Sequence, residues 1–367
     1  MRNSDIVAVL IAAVCVIGLA GCGSKSAAVG AGSAPAPLPP EIEIKERLLR
    51  GSPVGVDNRL SVGRHLRRGE GGAFIHPASL FSTEDGGIYV SDNNGHSIFY
   101  SPPDGSTAVP LRQQEGVGRL SFPNTIYLRK GQIFVTDNDG LKIYGQDGSF
   151  RQLIRTYYGV FSFVVSDDDR IYANAYLNAP KDSDPLIVEM DGKGRKLRGL
   201  GRRLNLPGYN GAADHAYLAT TGNLLFAALK HRPALQMFDR RGGTLINEVK
   251  IDHAIFERLP GELSGTDAGK TALPRYIAGV SLADDSVFVL LHLPRLEIVE
   301  FNLQGGERAR YYCDDLPTIA NYFGFAARSG ADGYVFTVGV QDPRWLPSIV
   351  EVRSTKPTNL IPKEEKL

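Results

Sequence analysis

The sequence predicts an all-β fold built from a repeated unit of four short strands. Runs of about five β-branched and aromatic residues recur along the chain and end at Asp-Gly or Asn-Gly pairs, which suit tight hairpin turns. The Asp-Gly pairs that begin at residues 104, 147 and 191 lie 43 and 44 residues apart. A period of this length, made of short strands, is typical of a propeller blade. The apolar spacing of an amphipathic helix is nearly absent, with residues 255–263 as the exception.

Six such units can be counted along the chain. In the first unit, Gly-Ala-Phe-Ile-His-Pro at 72–77 precedes strand-like runs at 88–92 and 97–100. In the second, Leu-Ser-Phe-Pro at 120–123 precedes runs at 133–137 and 141–144. The third unit keeps two runs but has a longer loop between them, and three less regular units follow at residues 224–239, 287–302 and 334–352. We therefore expect a six-bladed β-propeller of four-stranded blades.

The two ends of the repeated region predict how the ring closes. Residues 60–67 precede the first unit and resemble an outermost strand without a blade of its own. The last unit, which ends near Val352, lacks a clear fourth strand. Because an unpaired sheet edge invites aggregation, we expect the N-terminal strand to complete blade six. The alternative is that residues 359–361 of the tail do so.

The repeat resembles a known family. The pattern Gly-x-Phe-x-x-Pro, followed by Gly87 to Asp92, Ile98 and Asp104-Gly105, is similar to the NHL repeat of six-bladed β-propellers, a broad group that includes the TolB-like propellers. The resemblance covers about residues 60–353 and is closest in the first two blades. It implies the fold and no particular activity, since such propellers include scaffolds, receptors, lyases and hydrolases.

A second resemblance lies at the N-terminus. Arg2 and an uncharged apolar run from Ile6 lead into Leu19-Ala20-Gly21-Cys22, which resembles the lipobox of bacterial lipoprotein signal peptides. The resemblance implies cleavage before Cys22 and acylation of its thiol, with palmitate among the acyl groups. In a bacterium with two membranes, Gly23 after the cysteine implies the periplasmic face of the outer membrane rather than the inner membrane. The alternative is an ordinary secretory signal with a chance cysteine.

These observations divide the chain into four parts. Residues 1–21 are the signal peptide, 22–45 the lipidated cysteine and a flexible linker, 46–353 the propeller and 354–367 a C-terminal tail. The linker is rich in Gly, Ser, Ala and Pro and cannot bury enough surface to fold. Residues 252–276 form an insertion between blades four and five. Such an insertion is either a lid or partner-binding element or a disordered excursion.

Composition and motifs narrow the function classes. With 41 Lys and Arg against 40 Asp and Glu, the formal net charge of +1 argues against a nucleic-acid-binding protein. The sequence has no Gly-x-Ser-x-Gly elbow and no phosphate-binding loop, and its seven histidines lack the local spacing of a zinc site. We therefore predict no catalytic residue, no metal and no cofactor.

Loops on one face of the ring hold the candidate binding residues. Ligands usually meet a propeller at the loops between second and third strands and between blades. One half of this face is rich in acids and amides, and the opposite half is cationic. The candidates are Asp137, His215, His231, Arg232, His292, Arg295, Arg344 and Trp345. For Asp137, which ends a repeated strand, capping of a tight turn is the favoured alternative.

The resulting functional expectation is a lipid-anchored binding or scaffold module of the bacterial cell envelope. It contacts the membrane through its N-terminal lipid and holds a protein, peptide or glycan partner on the loop face. The alternative is a lyase or hydrolase with its active site at the channel mouth. An enzyme would gather ionisable groups with shifted pKa values there. A binding module would instead present a broad apolar or charged patch.

Overall fold

Six antiparallel sheets of four strands form the blades of a ring, as the sequence predicts. The structure, a computed structural model, describes residues 39–49, 58–68, 74–103, 105, 107–112, 115–156, 159–176, 184–203, 214–264, 273–316, 318–319, 321–341 and 347–354. In each blade the first strand in sheet order faces the axis of the ring. The chain then runs outward by hairpins, except that the outermost strand of blade six comes from the N-terminal side. The all-β prediction of a six-bladed propeller is confirmed.

The strand bounds follow the repeat closely. Blades one to three contain β2 (Pro77–Ser82), β3 (Ile88–Asp92), β4 (Ser97–Ser101), β5 (Thr107–Pro110), β6 (Ile126–Arg129), β7 (Gln132–Asp137), β8 (Gly140–Gly145), β9 (Phe150–Ile154), β10 (Gly159–Val165), β11 (Ile171–Tyr176), β12 (Pro185–Met190) and β13 (Lys196–Arg202). Blades four to six contain β14 (Ala216–Thr221), β15 (Leu224–Leu229), β16 (Ala234–Asp239), β17 (Leu245–Lys250), β18 (Ile277–Ala283), β19 (Ser286–Leu291), β20 (Leu296–Asn302), β21 (Glu307–Cys313), β22 (Asn321–Ser329), β23 (Tyr334–Gln341), β24 (Ser348–Arg353) and, from the N-terminal side, β1 (Ser61–Arg68). A short 3₁₀ turn, Gly116–Gly118, precedes blade two.

The ring is closed by β1, the strand nearest the N-terminus. It pairs antiparallel with β24, with Leu66 opposite Ile349, and supplies the fourth strand of blade six. Its last residues also pair in parallel with β5 of blade one. The prediction that an N-terminal strand completes blade six is therefore confirmed. The alternative strand, residues 359–361, lies outside the described residues.

The core lies between neighbouring blades. All six residues of β19 are buried, because blades four and six cover the two faces of blade five. A strand that is covered on both faces needs apolar side chains at consecutive positions rather than at alternate ones. This is why the second strands of blades four and five, β15 and β19, are almost continuously apolar.

Two helices lie on the propeller. Helix α1 (Pro40–Leu49) begins with a proline, which suits the first helical turn, and carries acidic Glu41 and Glu43 there. Helix α2 (Ala254–Ser264) lies in the insertion between blades four and five. Ile44 of α1 and Ile255 of α2 belong to one buried apolar cluster with blade residues. Among the described residues, no helix is both long and apolar enough to cross a membrane.

Helix α1 changes the expected border between linker and domain. Residues 40–45, which we expected at the end of the linker, form the first part of this helix. Ile42, Ile44 and Leu48 are buried, so the apolar stripe of a short helix holds this segment to the ring. Ten residues are too few for the stripe to stand out from the polar linker in the sequence.

Candidate functional site

The central channel forms a cavity of about 480 Å³. Inner strands from the blades line it with aromatic and small residues, among them Phe161, Tyr217 and Gly279. Polar side chains of Lys230, Arg275 and others also line it. The volume lies in the range of pockets that hold small organic ligands.

One backbone hydrogen bond repeats around the channel mouth. The N–H of the residue after the second strand donates to the carbonyl of a residue that precedes the inner strand of the same blade. In blade one Asn93 donates to His76 at 2.8 Å, and in blade two Asn138 donates to Ser121 at 3.1 Å. In blade four Lys230 donates to His215 at 2.8 Å, and in blade five His292 donates to Tyr276 at 2.9 Å. The donor positions therefore carry amides on one side of the mouth and cationic or imidazole side chains on the other.

Lys230 follows β15 and extends into the channel. Its Nζ lies 5.2 Å from the centre of the Phe161 ring, which also lines the cavity. Phe161 sits at a β-bulge, where the pairing of β10 with β11 shifts between Val160 and Ser162, and a bulge redirects a side chain. The pKa of Lys230 is lowered to about 8. Burial is the largest cause, the charge of Arg275 adds to it, and the charge of Glu41 acts in the opposite direction.

Two of the predicted histidines stand beside Lys230. His215 stacks face to face on Phe161, with ring centres 4.0 Å apart, and lies 6.3 Å from the ring of His231. Burial first, and then the charge of Lys230, lower the pKa of His215 to about 3. The same two causes lower the pKa of His231 to about 4. Both imidazoles are therefore neutral at pH 7.

Helix α1 brings a buried lysine to the same region. Lys45 Nζ donates to the carbonyl oxygens of Arg275 and His292, each at 2.7 Å, and lies 2.7 Å from the Glu41 carboxylate. It also lies 3.0 Å from Nδ1 of His292. Glu41 accepts a hydrogen bond from the backbone N–H of Arg275 at 3.1 Å. Burial above all holds the pKa of His292 well below its ordinary value, so this imidazole is neutral too.

These residues give the channel mouth a positive balance. In the described part of the site, Lys45, Lys230 and Arg275 contribute cations, and Glu41 contributes the opposing carboxylate. Glu41 is bonded to Lys45 and to Arg275, whereas Lys230 has no acidic partner within the described residues. The arrangement can attract a negatively charged group into a partly desolvated cavity.

Three other predicted site residues take part in ion pairs. Asp137 has no exposed side-chain surface, and its carboxylate lies 2.7 Å from Lys142 Nζ, inside blade two. Arg232 pairs with Glu248 of the neighbouring strand β17. Arg295 donates to Glu297 at 3.2 Å and lies 4.9 Å over the ring of Tyr312. Of the eight candidates, His215, His231 and His292 are thus the ones found with Lys230 at the mouth.

Arg344, Trp345 and the lipidation site Cys22 lie outside the described residues. In the described part of the chain, no three histidine, cysteine or acidic residues form a group that could hold a metal ion.

Three site residues were not foreseen as such. Lys230 precedes His231 in a loop that is predicted to lie on the ligand face, so its loop position could have identified it as a site residue. Arg275 precedes β18 at the end of the insertion. Lys45 enters the site because helix α1 lies on the ring, and its sequence gives no sign of this long-range contact.

Solved structures share the fold at low sequence identity. A protein of Bacteroides fragilis with the designation of an exported protein superposes with a TM-score of 0.56 and 13% identity, over 83% of this chain and 98% of that one. A luciferin-regenerating enzyme has a TM-score of 0.52 and 11% identity, over 79% and 94% of the two chains. Virginiamycin B lyase from Staphylococcus aureus has a TM-score of 0.49 and 11% identity, over 82% and 90%.

No protein-family model and no curated protein matches the sequence. At these identities the structural likeness shows the propeller fold alone. The NHL character of the repeats therefore stays a prediction.

Proposed function

We propose that this protein is a binding module of the bacterial cell envelope whose channel mouth takes a small organic anion. The observation that carries the proposal is the pair of cations, Lys230 and Arg275, on the wall of a cavity of about 480 Å³. A buried cation without an acidic partner is costly, and a bound anion would relieve that cost. Lys230 is half-buried and has no acidic partner within the described residues, so part of that cost applies to it.

The neutral histidines leave the attraction of an anion to the lysine and the arginine. Since the pKa values of His215 and His231 are lowered to about 3 and about 4, neither ring adds a positive charge at pH 7. Attraction of the anion then depends on Lys230 and Arg275. The imidazole rings offer hydrogen bonds and flat surfaces instead.

The lining of the channel indicates the rest of the ligand. Phe161, Tyr217, Tyr322 and Phe325 line the same cavity as the cations. Aromatic side chains contact flat or apolar groups over a large area. A carboxylate on an aromatic or other planar body fits this combination. In an envelope partner, a peptide C-terminus or an acidic sugar would present such a carboxylate.

Lipid anchoring forms part of the proposal. The apolar run that ends at Leu19-Ala20-Gly21-Cys22 supports acylation of Cys22 and attachment to an envelope membrane. Metabolic labelling with an alkyne-bearing palmitate, followed by detergent phase partitioning, tests it. The wild-type protein should carry the label and enter the detergent phase, and Cys22→Ser should do neither. An unlabelled wild-type protein would show an ordinary secreted form.

The anion proposal is tested with two ligands of nearly the same shape. Benzoate is charged and benzamide is neutral, so their comparison isolates the carboxylate. At ten times its Kd, a ligand adds about 1.4 kcal/mol to the unfolding free energy, a rise of about 2 °C in Tm for a domain of this size. We expect benzoate to raise Tm and benzamide to leave it unchanged. Equal shifts, or none, would reject an anion site.

Matched variants locate the effect. Lys230→Met removes the cation and keeps most of the side-chain volume, so the shift by benzoate should disappear. Lys193→Met changes an exposed lysine on a turn of blade three and should keep the wild-type shift. A shift that survives Lys230→Met would place the anion elsewhere.

A further inference from the structure

The amine of Lys230, whose side chain is half-buried, differs from the two buried lysines of the described chain in having no bonded partner among the described residues. Lys45 is fully buried and contacts Glu41, two carbonyl oxygens and His292. Lys142 is also fully buried and contacts two aspartates and a carbonyl oxygen. Lys230 Nζ lies over the face of the Phe161 ring, and its side chain lines the channel.

We propose that Lys230 is a nucleophilic amine that forms a reversible imine with a carbonyl compound bearing a carboxylate. The inference rests on the proposed function, because the carboxylate of this compound would occupy the same cationic channel mouth. It names the ligand class more closely: aldehydes and keto acids rather than organic anions in general.

Nucleophilic attack requires the neutral amine. An ordinary lysine, with a pKa near 10.4, is neutral in roughly one molecule in a thousand at pH 7.5. With its pKa lowered to about 8, Lys230 is neutral in roughly a quarter of the molecules at that pH. Desolvation, and a neighbouring cation such as Arg275, are the two means by which proteins activate a lysine for this chemistry.

The surroundings of Nζ suit a planar carbonyl compound. The Phe161 ring, held parallel to His215, forms a flat wall 5.2 Å from Nζ at its centre. Arg275 is charged and lines the same cavity, so it can hold the carboxylate of the ligand. Lys230 itself is fixed at both backbone groups, since its N–H donates to His215 at 2.8 Å and its carbonyl accepts from Tyr276 at 2.8 Å.

The covalent step needs no oxidant and no cofactor. The lone pair of the neutral amine forms a bond to the carbonyl carbon, and the carbon–oxygen bond then breaks. The oxygen leaves as water with the two protons of the amine nitrogen. The product is a carbon–nitrogen double bond at Lys230, and water that enters the channel reverses the reaction.

The test uses 4-carboxybenzaldehyde, which combines an aldehyde with the carboxylate and ring of benzoate. Full-length protein at pH 7.5 is treated with this aldehyde and sodium cyanoborohydride, whose hydride fixes the imine as a secondary amine. Peptide mass spectrometry then follows each lysine, which gains the mass of the aldehyde less one oxygen atom. We expect Lys230 to be modified at least tenfold faster than the exposed Lys193 and Lys196. Equal rates at the three positions would overturn the proposal.

Two controls tie the reaction to the site. An excess of benzoate should slow modification of Lys230 and leave Lys193 unaffected. Lys230→Arg keeps the positive charge and removes the nucleophile, so the fast adduct should disappear from this variant. Fast modification of another lysine in this variant would assign the nucleophile elsewhere and overturn the proposal.

The two proposals fail in different ways. If benzoate raises Tm but Lys230 reacts no faster than Lys193, the imine is rejected and the anion site stands. If Lys230 reacts fast but benzoate neither binds nor protects, the reactive amine stands without a carboxylate site, and the inference as stated is overturned. A wild-type protein that shows neither effect rejects both.

Discussion

Nζ of Lys45 lies 3.0 Å from Nδ1 of His292, so helix α1 contacts the second-to-third-strand turn of blade five. A charged ammonium can donate but cannot accept a hydrogen bond, so the contact favours the neutral ring that carries its proton on Nε2. Burial lowers the pKa of His292, and the charge of Lys45 lowers it further. The contact thereby joins a channel histidine to helix α1.

Replacement of Lys45 by methionine should destabilise the protein strongly. The change leaves Glu41 and the carbonyl oxygens of Arg275 and His292 without their shared donor. Breaking a buried ion pair of this kind costs about 3 kcal/mol or more. Denaturant unfolding of the variant should show this loss. Glu43→Ala, on the exposed side of the same helix, should change the unfolding free energy by about 0.5 kcal/mol at most. Equal small losses in both variants would mean that α1 contributes little to the fold.

Stability should fall as the pH drops below the ordinary histidine pKa. The folded protein keeps His215, with a pKa of about 3, and His231, with a pKa of about 4, in their neutral forms. The unfolded chain binds protons on both from about pH 6.5 downward. Since the unfolded state then holds more protons, the unfolding free energy decreases from pH 6.5 toward pH 4, by about 1.4 kcal/mol per pH unit for each histidine.

Urea unfolding at a series of pH values between 6.5 and 4.5 measures this slope. His215→Phe keeps a flat ring against Phe161 and should reduce the slope by about one proton. A wild-type curve that is flat in this window would show that these histidines are protonated in the folded protein as well.

Features that repeat along the chain could be predicted from the sequence, because each blade must meet the same physical demands. Asp-Gly turns, buried strands and the need to close the ring led to six blades and to the pairing of β1 with β24. Each of these features depends on residues close together in the chain or on the symmetry of the repeat.

The residues of the site were harder to predict from the sequence, because the site depends on contacts that do not repeat from blade to blade. His215, His231 and His292 were identified from loop positions, but Lys45 reaches His292 across 247 positions of sequence. Asp137 was likewise selected for its loop position, but in the folded blade its carboxylate is paired with Lys142. Whether a polar side chain faces the channel or a neighbouring strand is decided by tertiary packing, which a local pattern does not encode.

The closure of the ring predicts very different losses of stability for substitutions at two adjacent residues of β1. Leu66 is 2% exposed and packs into the cluster of blades six and one, whereas the side chain of His65 is exposed. Leu66→Ala should lower the unfolding free energy by about 3 kcal/mol, the cost of an unfilled core position. His65→Ala should change it by less than about 0.5 kcal/mol. Thermal unfolding of the two variants, side by side, provides the comparison.

If β1 were dispensable for closure, Leu66→Ala would behave like His65→Ala. We also expect the Leu66 variant to aggregate at a lower temperature than the wild type. Loss of β1 would expose the edge of β24, and unpaired strand edges associate with one another.

The buried pair in blade two predicts a sharp contrast between two lysines. Lys142 and Asp137 have no exposed side-chain surface and lie 2.7 Å apart, whereas Lys130 and Asp169, also 2.7 Å apart, are 54% and 65% exposed. Lys142→Met should cost about 3 to 5 kcal/mol of unfolding free energy, because it leaves a carboxylate buried without its cation. Lys130→Met should cost less than about 1 kcal/mol, because water solvates both partners of the exposed pair. Adding Asp137→Asn to Lys142→Met removes the unpaired charge and should restore part of the loss. Chemical denaturation of the three variants measures these differences, and a small effect of Lys142→Met would mean that water reaches Asp137.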